Sequence, residues 1–326
     1  MALRPVPWAI GNGAENSVEL ARAGLYVGSN GATGIVGVND FKVSALPTPG
    51  AAVRVIKGTG VIASTYPGTF GQSYAVQEQS NTDVPVAATG SSGAAVKYVY
   101  VLIEDTQYGG QTPPSVENGP YNSYQVTTTL PSAQPYLLLA RINQPASTAT
   151  ITNSMITDLR KVANPRKQPE LRTYALLSGD SSNLTTTTGG DGQTGGQTWP
   201  GAVEEAWGEL DIPSWATWMK IVMMWTGVRT TGGKVTGHTW VQVGATANPD
   251  NVKTQVVRYD MSDPSNVSRN TLVAADIKRV PASLRGTSQK FYPRGNRDTI
   301  SDSGKFLSLD GGSAMVLQVE FMEQAD

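Results

Sequence analysis

The stretch Met315–Met322, MVLQVEFM, decides the fold class. Met315, Leu317, Val319 and Phe321 fall on one side of an extended chain, Gln318 and Glu320 on the other. That period of two belongs to a strand with one face buried and one in water. Upstream of it the same kind of segment recurs at Ala206–Ile212, Trp218–Thr226, Thr236–Gly244, Val252–Met261 and Thr271–Val280. Gly227, Gly232-Gly233, Pro249-Asp250, Asp263-Pro264 and Gly311-Gly312 supply the turns. Several strands with regularly spaced turns predict a jelly-roll-like β-sandwich over residues 201–326.

Ahead of this domain lies Asn164–Pro200. It opens on the charged run Arg166–Arg172 and includes TTTTGGDGQTGG at 185–196. A run of that composition buries too little apolar surface to offset its ordering entropy, so residues 164–200 are expected to form a linker or hinge.

Residues 1–163 read as an N-terminal β-rich domain with one or two short helices. Ser17–Leu25 suits a helix capped by Ser17, with Val18, Leu20 and Leu25 inward. Phe41–Leu46 alternates and is expected to stop at Pro47-Thr48-Pro49-Gly50; Ala52–Ile56 follows. Tyr74–Gln79 and Val84–Ala88 flank Asn81-Thr82-Asp83 and read as a hairpin. Val96–Ile103 (VKYVYVLI) is apolar on nearly both faces, as a central strand is, and Tyr136–Ile142 resembles it. Glu104–Pro135, polar and proline-rich, is expected to be a long surface loop. Met155, Ile156, Leu159 and Val162 stand at helical spacing within Ser154–Val162, ended by Asn164-Pro165.

Composition narrows the function classes. Of 326 residues, 39% are hydrophobic and only 16% charged, with 35 glycines and 20 prolines. That balance favours strands joined by many turns. The net charge of −1 gives no long-range attraction for nucleic acid or an anionic membrane. With no cysteine, disulfides, thiol catalysis and thiolate metal sites are excluded. The N-terminus has no basic region followed by an apolar run, and apolar stretches of about five residues are far short of the ~20 a spanning helix needs. A soluble protein is expected.

No catalytic, cofactor or metal motif emerges. His238 is the single histidine, and no Gly-x-Ser-x-Gly elbow accompanies it. With Val241 and Val243 inward, His238, Trp240 and Gln242 share the opposite face. The carboxylate pairs Glu104-Asp105 and Glu204-Glu205 are the nearest approach to glycosidase chemistry, but alternation after Val96–Ile103 sends the first pair to opposite faces. The glycine-rich segments lack the Lys-Ser/Thr of a phosphate loop. Six of the seven tryptophans lie at Trp199 or beyond. Aromatic faces stack on sugars or anchor partners, and also fill cores. Trp199, Trp207, His238 and Trp240 are the candidate glycan- or partner-binding residues, with Trp199 and Trp240 expected to be the most exposed.

The segment Ser17–Ile62, SVELARAGLYVGSNGATGIVGVNDFKVSALPTPGAAVRVIKGTGVI, resembles the opening of tail-tip and baseplate-associated minor tail proteins of long-tailed bacteriophages, particularly those of actinobacteria. The matching features are an apolar-Arg segment (Leu20–Leu25), a glycine-rich turn (Gly28–Gly37), a strand ending Pro-x-Pro-Gly (Phe41–Gly50) and a Val-x-Val-x-x-Gly strand (Val53–Gly58). Val99–Asp105, Tyr136–Ile142 and Ile151–Arg160 continue the likeness, and Leu210–Ala216 resembles the start of sandwich domains appended to such proteins. The resemblance implies an N-terminal domain docked on the tail tip and a distal sandwich. It also implies a homotrimer contacting other tail-tip proteins and host-surface glycan, assembled in the host cytoplasm, with no catalytic residues to carry over. The chain lacks the long repetitive shaft of typical fibres. A tail-associated glycan hydrolase or esterase and a capsid decoration or head-fibre protein share this composition and are the alternatives.

Overall fold

The computed structural model describes residues 17–175, 181–187, 196–200, 209–230, 232–244, 252–263 and 268–325. The chain is mostly β and divides into two units, Met1–Pro165 with Gln324–Asp326, and Arg166–Glu323.

The first unit opens on α1 (Val18–Gly28), whose N-cap Ser17 accepts the Leu20 N–H. Its strands are β1 (Gly34–Ile35), β2 (Val43–Gly50), β3 (Ala52–Val55), β4 (Gly58–Ala63), β5 (Ser73–Glu78), β6 (Thr82–Pro85), β7 (Ala95–Ile103), β8 (Asn122–Thr127), β9 (Tyr136–Gln144) and β10 (Ile156–Asp158). They form three sheets, β1-β4-β5, β2-β3-β6 and β10-β9-β7-β8. One core joins them, built on Phe41, Val53, Ile62, Val99, Leu139 and Ile142.

The apolar run around Val96–Ile103 is a central strand, flanked by β9 and β8. Several expectations for this unit need correction. Val18 and Leu25 are exposed on α1, not inward. β2 continues through Pro47 and Pro49 to Gly50, with a register shift after Ala45, since proline is tolerated where the ladder is already interrupted. Tyr74–Gln79 and Val84–Ala88 do not form a hairpin, because β5 pairs with β4 and β6 with β3. The polar excursion after Ile103 contains β8, which pairs with β7 from Tyr98 to Ile103. Ser154–Val162 is no helix. One 3-10 turn, Asn153–Met155, leads into β10 on the open side of β9. β-Branched Ile156 and Thr157 suit that edge, and it overrides the helical spacing.

The second unit holds β11 (Lys167–Ala175), β12 (Ser181–Leu184), β13 (Gln197–Thr198), β14 (Glu209–Asp211), β15 (Trp218–Thr230), β16 (Gly233–Val243), β17 (Val252–Lys253), β18 (Val257–Asp263), β19 (Ser268–Arg279), β20 (Ser288–Arg297), β21 (Leu307–Asp310) and β22 (Ala314–Met322). One sheet runs β11-β22-β15-β21-β12 with β19 on β15; the other runs β13-β20-β16-β17 with β14 on β20 and β18 on β16. Their inner faces share a core of Met219, Ile221, Met223, Trp225, Val241, Phe291, Leu317 and Phe321. This is the expected sandwich, and Met315, Leu317, Val319 and Phe321 point into it.

Residues 164–200 are not a linker. The boundary falls between Pro165 and Arg166, and the segment contributes β11, β12 and β13. β11 pairs with β22 over nine residues, Lys167↔Met322 to Ala175↔Ala314. It escapes notice because it is an edge strand with Gln168, Glu170 and Arg172 where a central strand would carry apolar residues. Much of the TTTTGGDGQTGG run, residues 188–195, lies outside the described residues.

Candidate binding surfaces

The tryptophans singled out above are core residues. Trp199 is fully buried, stacked on Trp225 at 6.4 Å between ring centroids. Its indole N–H donates to the Ser182 carbonyl at 3.0 Å, and the Trp225 indole donates to the Trp199 carbonyl. Trp240 is buried too, because Gly196 lies against its ring where any Cβ would collide. Alternation does place His238, Trp240 and Gln242 on the face of β16 away from Val241 and Val243, but that face is covered. Trp207 lies outside the described residues, as do Glu204 and Glu205.

His238 is mostly enclosed. Its Nδ1 is 3.2 Å from Asn296 Oδ1 and 3.6 Å from Asp298 Oδ1. The pairing of β16 with β18 and β20 sets Arg258 and Asn296 opposite His238, and Arg258 reaches Asp298 and Asp260 at 3.6 and 2.9 Å. The arrangement is a cross-strand polar network with its groups turned on one another. No group of three or more metal-ligating side chains exists among the described residues, and no described helix is long and apolar enough to cross a membrane.

A groove of about 570 Å³ opens in the first unit between α1, β5 and the end of β7, lined by Arg22, Tyr74, Glu104, Asp105, Tyr121 and Asn122. The Arg22 guanidinium stands 5.1 and 5.6 Å from the Tyr74 and Tyr108 ring centroids and 2.8 Å from Asp105 Oδ2. Tyr74 donates its hydroxyl to the same carboxylate at 2.9 Å. Burial pushes the Tyr74 phenol well above its ordinary range, and Asp105 adds to the shift. Glu104 and Asp105 both line this groove, rather than opposite faces, because β7 ends at Ile103. Each already has an internal donor: Gln111 N–H on Glu104 and Gln107 N–H on Asp105. Sequence reading missed Arg22 and Tyr74, which lie far apart along the chain with nothing local to link them.

The third surface is the outer face of the sheet formed by β19, β15, β22 and β11. Register places Met224 between Val273 and Val316, and Val222 between Ala275 and Gln318, with Leu171 beyond Gln318. These side chains alternate with core residues and point away from the core. Leu171, Ile277 and Val273 are 60%, 53% and 43% exposed. The sequence carries a signal for this face. Trp218–Thr226 is apolar at both parities, the pattern of a strand covered on two sides, yet among the described residues of this unit only its inner face is covered.

No family model matches the chain, and no curated protein does. Among solved structures, the infectious bursal disease virus Gx strain is similar over 89% of this chain and 69% of that chain, at 11% identity and a TM-score of 0.26. The VP2 subviral particle of the same virus aligns over 90% and 76%, with 12% identity and a TM-score of 0.25. The tandem CBM22-1–CBM22-2 domain of Paenibacillus barcinonensis Xyn10C aligns over 87% and 98%, with 11% identity and a TM-score of 0.24. At such values the likeness carries no argument about function.

Proposed function

We propose that this protein is a structural component of a virus particle, placed at the tail tip of a long-tailed bacteriophage, and that it works through surfaces and assembly rather than catalysis. The observation that carries this reading is the outer face of β19-β15-β22-β11, where Leu171, Val273 and Ile277 are exposed beside half-buried Val222, Met224 and Val316. Contiguous exposed apolar area of this kind marks an association site. The resemblance of Ser17–Ile62 to minor tail proteins supplies the tail-tip context, with the first unit docking and the second directed to the host. Copies of the chain assemble with one another, as a homotrimer by that resemblance, and with other tail-tip proteins.

Attachment to host-surface glycan would gain strength from several weak contacts engaging together. It uses residues other than Trp199 and Trp240, whose rings are enclosed. Purified protein should bind intact host bacteria saturably, and isolated wall polysaccharide should compete. Absence of binding to cells that the phage infects would contradict the attachment role.

A second reading, a wall-glycan hydrolase or esterase, is favoured by one observation, the meeting of Glu104 and Asp105 in the groove. Release of reducing sugar from wall polysaccharide, lost in Glu104→Gln, would establish it. The third, a capsid decoration or head-fibre protein, differs only in where the protein sits.

A further inference from the structure

We propose that Tyr98, Arg141 and Thr157, a row on the outer face of the first unit's β10-β9-β7-β8 sheet, bind an oxyanion: a carboxylate or phosphate group on a small polar ligand. Such a site belongs to the first unit alone and does not depend on where on a virus particle the protein sits.

The arginine sets this row apart. Among the described arginines of the first unit, Arg22, Arg54 and Arg160 each hold a carboxylate, those of Asp105, Asp83 and Asp158, at 2.8, 2.8 and 2.6 Å. Arg141 holds none. Its Nε is buried without an acceptor, and its guanidinium has no ion pair, hydrogen bond or ring contact among the described residues. A buried donor left unmet is a cost that an incoming acceptor removes.

Register builds the surroundings. Tyr98 of β7 stands between Thr127 of β8 and Arg141 of β9, and Thr157 of β10 lies beyond Arg141. These positions alternate with Val99, Val126, Ile142 and Ile156, which pack in or against the core. Their side chains therefore face outward, half-buried, and Asn143, at the next outward position of β9, is exposed. The Tyr98 and Thr157 hydroxyls and the Asn143 amide make no hydrogen bond among the described residues, so each is able to donate beside the guanidinium.

Charge decides the class of ligand. Arg141 is the one charged residue at the outward positions of the four strands. The segments that frame this end of the sheet, 86–94, 128–135 and 145–155, hold no charged residue. Lys97, on the inner side of β7, donates to the Ala87 carbonyl, and Asp158 is taken by Arg160. Glu104, past the far end of β7, lines the Arg22 groove. A second cation, Lys161, lines a pocket of about 320 Å³ with Tyr136 and Leu138, further along β9. An anion on this face meets donors and cations only. A cationic ligand would be repelled, and a neutral one would leave the guanidinium without a counter-charge. The planar fork of an arginine matches two oxygens of one carboxylate or phosphate.

Titration of the full-length protein, followed by the NMR signal of the Arg141 Nε–H, tests the site. Inorganic phosphate and glucuronate are the probes, with sodium chloride at the same ionic strength as the control. At least one oxyanion should shift the signal saturably, and chloride should not. A response to phosphate alone assigns the site to a phosphate-bearing ligand; one to glucuronate alone assigns it to a carboxylate-bearing ligand. Measured by calorimetry, Arg141→Gln should weaken binding about tenfold or more, as loss of a charged hydrogen-bond donor does. It should melt as the wild type does, because no internal contact goes with the guanidinium. Arg141→Lys, which keeps the charge but not the fork, should recover only part of the affinity.

No response to either oxyanion overturns the proposal. So does a response matched by chloride, or unweakened binding in Arg141→Gln. If the glutamine variant does not fold, Arg141→Lys decides, since wild-type affinity with lysine overturns the assignment to the arginine fork.

Discussion

Arg166 and Glu323, the first and last residues of the second unit, close it on one another. The guanidinium donates from Nη2 and Nε to the two carboxylate oxygens at 2.7 and 2.9 Å. The Arg166 N–H also reaches Glu323, and the Glu323 N–H returns to the Arg166 carbonyl at 3.0 Å. Trp215 lies under the guanidinium, 5.0 Å from ring centroid to Cζ. The Glu323 side chain is only 4% exposed and that of Arg166 56%, so the carboxylate depends on the arginine more than the reverse.

This pairing predicts how the second unit responds to acid. The hydrogen bond from Arg166 holds the Glu323 carboxyl below its ordinary range, against the opposing effect of burial. A depressed carboxyl contributes stability that is present above its unfolded value, about pH 4.3, and is lost as pH falls through its folded value. Glu323→Gln should cost about 1–2 kcal/mol at neutral pH, discounted for the half-exposed arginine. It should also flatten the loss of stability below about pH 4.3. Calorimetric melting across that range checks both, and an unchanged acid limb would contradict them.

Trp199→Ala should act as a core deletion. Removing a fully buried indole stacked on Trp225 should cost about 3–5 kcal/mol, seen as a lower denaturant midpoint for the second unit. A variant with wild-type stability would mean that the ring is available for recognition after all.

Arg22 ties α1 to the first unit's sheets, since the helix has no buried residue of its own. Arg22→Ala leaves the largely buried Asp105 without its cation and should cost about 1–3 kcal/mol. Amides of Leu20–Leu25 should exchange faster with deuterium. Arg22→Lys should rescue little, because a compact ammonium does not reproduce the planar stack against Tyr74 and Tyr108. Full protection of α1 in the lysine variant would contradict this account.

Gly237 sits at a crossing of strands where an added Cβ would run into the Asn296 carbonyl and the Tyr259 hydroxyl. Gly237→Ala should destabilise the second unit by about 1–3 kcal/mol through overpacking. It should also displace His238 next to it, visible as a shift of the imidazole NMR signals. Wild-type melting with unmoved signals would count against it.

The class of fold was legible wherever one strand carried the whole pattern. Met315–Met322 shows its buried and wet faces residue by residue, and Val96–Ile103 its place between two neighbours. Edge strands were not legible. β11 is held by main-chain pairing to β22 while Gln168, Glu170 and Arg172 take the inward positions, so a reading based on apolar periodicity takes it for a linker. The site fared worse for a related reason. Exposure of Trp199 and Trp240 depends on Ser182 and Gly196, residues of that same supposed linker, and the Arg22–Tyr74–Asp105 cluster is assembled from three distant segments. The outer face of β15 did leave a mark, since Val222 and Met224 make that strand apolar on both sides.

Whether and where the protein sits on a phage particle tests the proposed role most directly. Antibody-gold labelling of intact particles in the electron microscope should place the label at the distal end of the tail. Label confined to the head, or particles that carry none of the protein, would contradict the account.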